Sequence, residues 1–174
     1  MRAARPAVQF IVIGPADDGK ADAVPPTVTA DLERRGVVRF LGLRTDVRDL
    51  YRAMDIFVLA SYREGFPRSA AEAAAMGLPL ILTNIRGCRE VVTDGYNGLL
   101  IPLRDAAALE AAVRSLVDQP GVRRQFAEVN RQLALVAFDE RRIIAHMLEV
   151  YRTLLAEKRG RVGDGLGQES LPGR

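Results

Sequence analysis

The sequence predicts an α/β domain in which a parallel sheet lies between two layers of helices, with further helices after it. Two observations lead to this fold class. Short apolar runs alternate with helical patterns from residue 8 to about residue 92, and helical patterns alone continue from residue 105. Repeated strand–helix units imply parallel strands, because the chain must cross a face of the sheet before each new strand.

Five short apolar runs are the predicted strands. They lie at 8–13, 37–41, 56–60, 80–83 and 99–101. Sheets of this kind bind ligands beyond the carboxyl ends of their strands. The candidate ligand-binding loops are therefore those that follow the first four strands, around Gly14, Gly42, Ser61 and Asn84.

The predicted helices follow from apolar periodicity and from residues that favour a helix start. Val47, Leu50, Tyr51 and Met54 fall on one apolar helical face. Pro67 suits the first turn of a helix, because its missing N–H is not needed there. The predicted ranges are 28–35, 47–54, 67–76, a short helix to about 92, 105–118, 121–136 and 139–158.

Composition indicates a folded protein that does not bind nucleic acid. Hydrophobic residues make up 48% and charged residues 27%, and the net charge of +3 includes no long run of Lys or Arg. The length of 174 residues fits one domain, predicted over residues 1–158. The glycine-rich segment 159–174 is predicted to be a disordered tail.

Cys88 is the single cysteine, which favours a reducing, cytoplasmic compartment and an inert buried thiol. The apolar run near the N-terminus is too short for a signal peptide core or a membrane span. His146, the only histidine, lies on the last predicted helix and is interpreted as a surface residue. Scattered arginine pairs are interpreted as solvated helix faces, with association at the inner face of a membrane as the alternative.

The most informative segment is 55–79, with the sequence DIFVLASYREGFPRSAAEAAAMGLP. A predicted strand leads to a loop that carries Glu64 and Gly65, and Pro67 then starts a helix whose first N–H groups suit a phosphate. Glu72 lies about one and a half turns into that helix. Carboxylates accept hydrogen bonds from hydroxyls, so this arrangement suits a nucleotide sugar, which offers ribose hydroxyls, a diphosphate and sugar hydroxyls.

In this context the segment resembles the Glu-x7-Glu region of retaining GT-B glycosyltransferases, especially those of family 4. The bare spacing is not sufficient, because Glu149 and Glu157 repeat it inside a predicted helix without a strand or a glycine loop. Further residues follow the family's order over roughly 8–155: Phe40-Leu41-Gly42, Asp46, Asp55, Ser61, Glu64-Gly65-Phe66-Pro67, Glu72-Ala73, Met76-Gly77-Leu78-Pro79, Gly87, Glu90-Val91-Val92, Asp94-Gly95 and Asn97-Gly98. The resemblance implies a Rossmann-like, three-layer domain, the C-terminal half of a GT-B fold.

The resemblance also implies roles for individual residues. Glu64 would be the catalytic-site carboxylate that binds hydroxyls of the donor sugar, and Glu72 would bind the ribose hydroxyls. The backbone between them would face the sugar and the diphosphate through Gly65, Phe66, Pro67 and Arg68, although Pro67 has no N–H to donate.

Two earlier loops complete the implied donor site. Gly14 and Gly42 end the first two predicted strands. Leu43 and Arg44 would lie against the nucleobase. No Cys/His spacing of a metal site and no Asp-x-Asp is present, so no metal and no other cofactor is expected.

The resemblance implies transfer of a hexose from a nucleoside diphosphate sugar to a glycan, lipid or small-molecule acceptor, with retention of the anomeric configuration. Two parts of such an enzyme are not recognised in the sequence: the acceptor-binding N-terminal domain, and the strand–helix unit with a G-R-L … K-G basic pair that opens the donor domain. We therefore expect the isolated chain to be inactive. The sequence pattern does not indicate an oligomeric state.

The sequence has two other interpretations. The alternative function is a non-catalytic Rossmann-like module that pairs with another chain, which the unrecognised basic strand–helix unit favours. An oxidoreductase that binds a dinucleotide is disfavoured, because 14–19 (GPADDG) lacks the G-x-G-x-x-G spacing.

Overall fold

The computed structural model describes residues 8–15 and 23–165 of the chain, with side chains up to residue 158. Within these ranges, strands and helices alternate and are followed by three consecutive helices. In chain order the elements are β1 (Phe10–Val12), α1 (Pro26–Arg34), β2 (Val38–Phe40), α2 (Val47–Arg52), β3 (Phe57–Leu59), α3 (Arg68–Ala75), β4 (Leu80–Thr83), α4 (Arg86–Arg89), β5 (Gly98–Ile101), α5 (Ala106–Asp118), α6 (Pro120–Ala137) and α7 (Glu140–Gly165). The predicted element order is confirmed.

The five strands are parallel, as predicted, but they pair in two groups rather than in one continuous ladder. β1 pairs with β2, and β4 lies between β3 and β5. Within the described residues, no strand pairs with the second side of β1 or with the outer side of β3. The described strands therefore form two separate ladders.

β4 forms the centre of the core, and its four residues are buried. Successive side chains of a strand point to opposite faces. Leu80 and Leu82 accordingly pack with the alanines of α3, whereas Ile81 packs with Leu116 of α5 and Phe126 of α6. Helices thus cover both faces of β4, which produces the predicted three layers. A phenylalanine of β1, at position 10, also packs against the Ile81 cluster and attaches the β1–β2 pair to it.

Some helix boundaries differ from the sequence prediction, including the start of α1 and the end of α7. α1 begins at Pro26, which was assigned to a loop; a proline is accommodated at a first helical position because it needs no N–H there. α7 continues to Gly165, beyond the predicted end at residue 158. The rest of the predicted tail, 166–174, and the part of the predicted first loop at 16–22 lie outside the described residues.

α7 stands apart from the core. All its described side chains, 140–158, are exposed, and they include the large apolar residues Ile143, Ile144, Met147, Leu148, Val150, Tyr151, Leu154 and Leu155. His146 is among the exposed residues, as predicted. No helix within the described residues is long and apolar enough to cross a membrane.

A buried pair of asparagines ties α6 to the rest of the domain. Asn97 and Asn130 are 1% and 0% exposed. Nδ2 of Asn97 donates to Oδ1 of Asn130 over 2.8 Å, and Nδ2 of Asn130 donates to the carbonyl oxygens of Leu78 and Asn97, each over 2.8 Å. The pair links α6 to the turn before β4 and to the start of β5. The Asn97-Gly98 pair predicts a turn, and no sequence pattern predicts a role for Asn130.

Candidate functional site

The connection between β3 and α3, residues 61–67, is termed the Glu64 loop. It follows the carboxyl end of β3, and Glu72 lies on the succeeding helix, as predicted. The hydroxyl of Thr83, at the end of β4, donates to the carbonyl of Ser61 over 2.5 Å. This hydrogen bond fixes the start of the loop to the neighbouring strand.

Gly87 of α4 lies directly against the backbone of the Glu64 loop. A Cβ atom at this position would collide with the carbonyl oxygen of Glu64 and would lie 2.8 Å from that of Gly65. These are backbone atoms, which move only if the loop moves. Gly87 is therefore required for the close approach of α4 to the loop, a role that the sequence analysis did not assign.

The beginning of α3 presents free donors. Pro67 precedes the helix, and its carbonyl accepts hydrogen bonds from the N–H groups of Ala70 (3.0 Å) and Ala71 (3.1 Å). Among the described residues, no backbone acceptor is bonded to the N–H groups of Gly65 or Arg68. Unbonded donors at a helix N-terminus carry partial positive charge and favour an anion.

A cavity of about 400 Å³ opens beside the Glu64 loop. It is lined by Tyr62, Arg63, Glu64, Gly65, Ile85 and Arg86. Glu64 is half-buried, whereas both arginines are exposed. The cavity joins the Glu64 loop to the beginning of α4 and places two arginines at a site where only the glutamate and the glycine were predicted.

Glu72 is held by a tyrosine from another element. The hydroxyl of Tyr51, on α2, lies 3.3 Å from Oε2 of Glu72 and 3.2 Å from the carbonyl oxygen of Ser69. Tyr51 is 5% exposed, and its ring packs edge-on against Phe57 at 5.9 Å between centroids. Burial raises the pKa of Tyr51 to about 12, and the negative charge of Glu72 contributes to the shift. The sequence pattern predicts Tyr51 only as part of the apolar face of a helix.

Because the pKa of Tyr51 is raised, we expect this side chain to titrate late in alkaline solution and to make stability depend on pH there. Its ordinary pKa is 10.0, and in the folded protein it is about 12. Folding therefore favours the protonated phenol, so the stabilising contribution is complete below about pH 10 and is lost as the pH rises through 12. Phenolate absorbance should show one tyrosine that titrates later than the others, and a Tyr51→Phe variant should lack that late step. Titration of all tyrosines together near pH 10 would contradict this assignment.

The loops after β1 and β2 lie side by side. The N–H of Gly14 donates to the carbonyl of Gly42 over 3.0 Å, and Gly42 has a φ of 62°. Leu43 follows with 77% of its surface exposed. Among the described residues, no hydrogen bond joins this loop to Glu64 or Glu72. The predicted contact of Leu43 and Arg44 with a nucleobase stays a prediction.

Arg44 has a partner within its own loop. Its guanidinium donates to both carboxylate oxygens of Asp46, over 2.7 Å and 2.5 Å. This interaction raises the pKa of Arg44 and lowers that of Asp46. Asp46 directly precedes α2, but its side chain does not cap that helix, because the carboxylate binds Arg44 instead.

Cys88 is buried beneath the loop, in agreement with the predicted inert thiol. Burial raises the pKa of this thiol; a hydrogen bond with Thr83 opposes the shift, and the charge of Glu64 adds to it. A thiol with a raised pKa stays protonated near neutral pH and is a poor nucleophile.

The fold and the Glu64 loop identify the class of protein: this is the Rossmann-like, C-terminal half of a GT-B glycosyltransferase fold. Residues 1–119 match the family described as glycosyl transferases group 1, and the chain belongs to that family.

Relatives and solved structures agree with this assignment. The chain is 32% identical over 142 residues, 82% of its length, to N,N'-diacetylbacillosaminyl-diphospho-undecaprenol alpha-1,3-N-acetylgalactosaminyltransferase of Campylobacter jejuni. It is 40% identical over 124 residues, 70% of its length, to glycogen synthase of Mycobacterium tuberculosis. The structure of Anabaena HepE in complex with UDP superposes with a TM-score of 0.78 at 26% identity, over 85% of this chain and 42% of that one. Sucrose-phosphate synthase of Thermosynechococcus elongatus superposes with a TM-score of 0.77 at 28% identity, over 89% and 40%.

The chain spans about a third of the length of the curated relatives that it matches. The matched region is 36% of the Campylobacter jejuni transferase and 29% of the glycogen synthase. The similarity therefore concerns one part of those longer proteins.

Proposed function

We propose that this chain binds a nucleoside diphosphate sugar at the Glu64 loop and is the donor-binding part of a retaining hexosyltransferase. The observation that supports this most directly is the arrangement of Glu64, the free donors at the beginning of α3, and Glu72 along one strand–loop–helix unit. A related fold holds UDP in Anabaena HepE, which supports a nucleotide ligand here.

Each part of the donor has a matching group. The diphosphate would accept hydrogen bonds from the N–H groups of Gly65, Phe66 and Arg68, where the helix dipole favours negative charge. Glu64 would accept hydrogen bonds from the donor sugar and Glu72 from the ribose, because ionised carboxylates act only as acceptors. Binding in this way would not require a metal ion.

The nucleobase would lie on the loop after β2. Leu43 offers an exposed apolar surface next to Gly42, and a base has an apolar face that such a side chain can cover. The N–H groups of Arg44 are bonded to Asp46. Arg44 would therefore contact a base only through the flat face of its guanidinium group.

Catalysis would require more than these residues. Holding an acceptor against the anomeric carbon can supply roughly 7–11 kcal/mol of a reaction barrier, and we assign that task to an acceptor-binding domain that precedes the donor domain. A further parallel strand that joined the β1–β2 pair to the β3–β4–β5 ladder would complete a doubly wound sheet.

Calorimetry with UDP, GDP and ADP in EDTA tests the proposal. We expect weak binding of at least one nucleotide, and no turnover of any sugar donor by the isolated chain. Glu72→Ala should weaken nucleotide binding by roughly 1–3 kcal/mol, as is typical of lost hydrogen bonds to a charged group. Glu149→Ala is the matched control, because Glu149 belongs to the second Glu-x7-Glu on the exposed α7. Equal affinity of the Glu72→Ala and unmodified proteins would remove Glu72 from the site.

The second candidate function is a non-catalytic module that pairs with another chain. The exposed apolar side chains of α7 favour it, because a contiguous apolar helix face normally marks an interaction surface. The same calorimetry separates the candidates: no nucleotide binding, together with association that increases with protein concentration, would favour this module over a donor site.

A further inference from the structure

Two arginines that line the cavity beside Glu64 have no protein partner. Neither Arg63 nor Arg86 takes part in an ion pair or a side-chain hydrogen bond with another described residue, and both are exposed. Other arginines of the domain are neutralised locally: Arg44 by Asp46, Arg114 by Glu110 and Arg141 by Asp139. The cavity thus holds two arginines whose charge no described carboxylate neutralises through an ion pair.

A third arginine, Arg104, contacts Tyr62, one of the residues that line the cavity. The guanidinium carbon of Arg104 lies 5.4 Å from the centroid of the Tyr62 ring, a cation–π distance. Arg104 has a φ of 59°, the only positive φ of a non-glycine residue in the described part of the chain. A non-glycine residue in this conformation is held there by its surroundings at some cost in free energy.

The charges lining the cavity do not balance. Glu64 is the one carboxylate among its lining residues, against the two cations Arg63 and Arg86. A volume of about 400 Å³ is sufficient for a substantial part of a small-molecule ligand. Guanidinium groups bind phosphate oxygens in a planar, two-pronged geometry and remain charged at all physiological pH values.

On the basis of the proposed function, we infer that this cavity binds a phosphate-bearing group through Arg63 and Arg86, in addition to the donors at the beginning of α3. Two ligands could carry that group: the diphosphate of the donor, or a phosphate or diphosphate on the acceptor. In the second case, the acceptor substrate belongs to the class of phosphorylated or diphosphorylated compounds.

The test uses the full 174-residue chain and three probes: UDP, inorganic pyrophosphate and geranyl diphosphate, a diphosphate without a nucleoside. The variant is Arg63→Gln with Arg86→Gln. The matched control is Arg124→Gln with Arg142→Gln, which removes two exposed arginines that likewise have no ion-pair partner among the described residues. Circular dichroism confirms that each variant is folded. Arg63→Lys with Arg86→Lys keeps the charge and removes the two-pronged geometry.

We expect the Gln variant to lose on the order of tenfold in affinity for at least one probe, with a partial loss in the Lys variant and none in the control. A loss confined to UDP identifies the donor diphosphate as the ligand. A loss for pyrophosphate and geranyl diphosphate with UDP affinity intact identifies a phosphate on the acceptor.

Unchanged affinity of the Gln variant for all three probes overturns the inference, as does an equal loss in the control, which would reflect general charge. Failure of the proposed donor site is a separate result, namely UDP binding that is absent or insensitive to Glu72→Ala. The pyrophosphate and geranyl diphosphate measurements do not depend on that result.

Discussion

A Gly87→Ala variant is expected to lose most of its nucleotide binding while the remainder of the domain stays folded. The added Cβ would collide with the carbonyl oxygen of Glu64 and would lie 2.7 Å from its carbonyl carbon. Because α4 is anchored by buried residues, including Cys88, the Glu64 loop must move to relieve the collision. Overpacking of this kind costs typically 1–3 kcal/mol, and the displaced donors would no longer converge on one ligand.

We expect nucleotide affinity to fall by about 2 kcal/mol, or roughly thirtyfold, in calorimetry. Backbone NMR signals of residues 61–67 should shift even without ligand, which provides a readout that does not depend on the proposed function. Gly121→Ala is the control, because a Cβ there meets no atom within 4 Å. Unshifted loop signals in the Gly87→Ala variant would show that the loop tolerates the side chain.

The second large effect is expected from Asn130→Ala, which should lower the free energy of unfolding by roughly 2–4 kcal/mol. The substitution removes the donor to the carbonyl oxygens of Leu78 and Asn97 and the acceptor of the Asn97 amide. All of these groups are buried, so water does not readily replace the lost partner. Leaving a buried polar group without a partner costs more free energy than the net stabilisation that its hydrogen bond provided.

Urea denaturation measures this change, and the dependence of the free energy on urea concentration should stay the same if only stability is altered. Asn84→Ala serves as the control, because Asn84 is exposed and its side chain bonds only Arg89 among the described residues. That substitution should change stability by no more than about 0.5 kcal/mol. Similar losses in the two variants would show that the buried pair contributes nothing beyond an exposed asparagine.

The parts of the fold that were predicted from the sequence depend on local signals. The apolar runs of β3 and β4 are short and are bounded by polar or turn residues, which distinguishes strands from helices. Pro67 precedes α3, and Gly77 follows it with a φ of 73°, a conformation that glycine adopts readily. These local signals are sufficient to predict Glu64 on a loop and Glu72 on the next helix, because neither assignment depends on a contact between distant residues.

The parts that were missed depend on contacts between residues far apart in the sequence. Nothing in the local pattern of α2 indicates that the Tyr51 hydroxyl meets Glu72, 21 residues later. The separation of the strands into two ladders was missed for the same reason, since an apolar run predicts a strand but not the strand beside it.

By itself, the sequence determined the order of strands and helices, the parallel arrangement and the position of the Glu64 loop at a strand's carboxyl end. Hydrophobic periodicity and the residues that start or stop a helix act over only a few residues. The tertiary structure alone decided which groups support that loop and which line its cavity: Gly87 beneath Glu64, and Arg86 of α4 beside Arg63. These neighbours come together only when α4 packs against the loop, because their contacts require complementary shape and charge between elements that are separate in the chain.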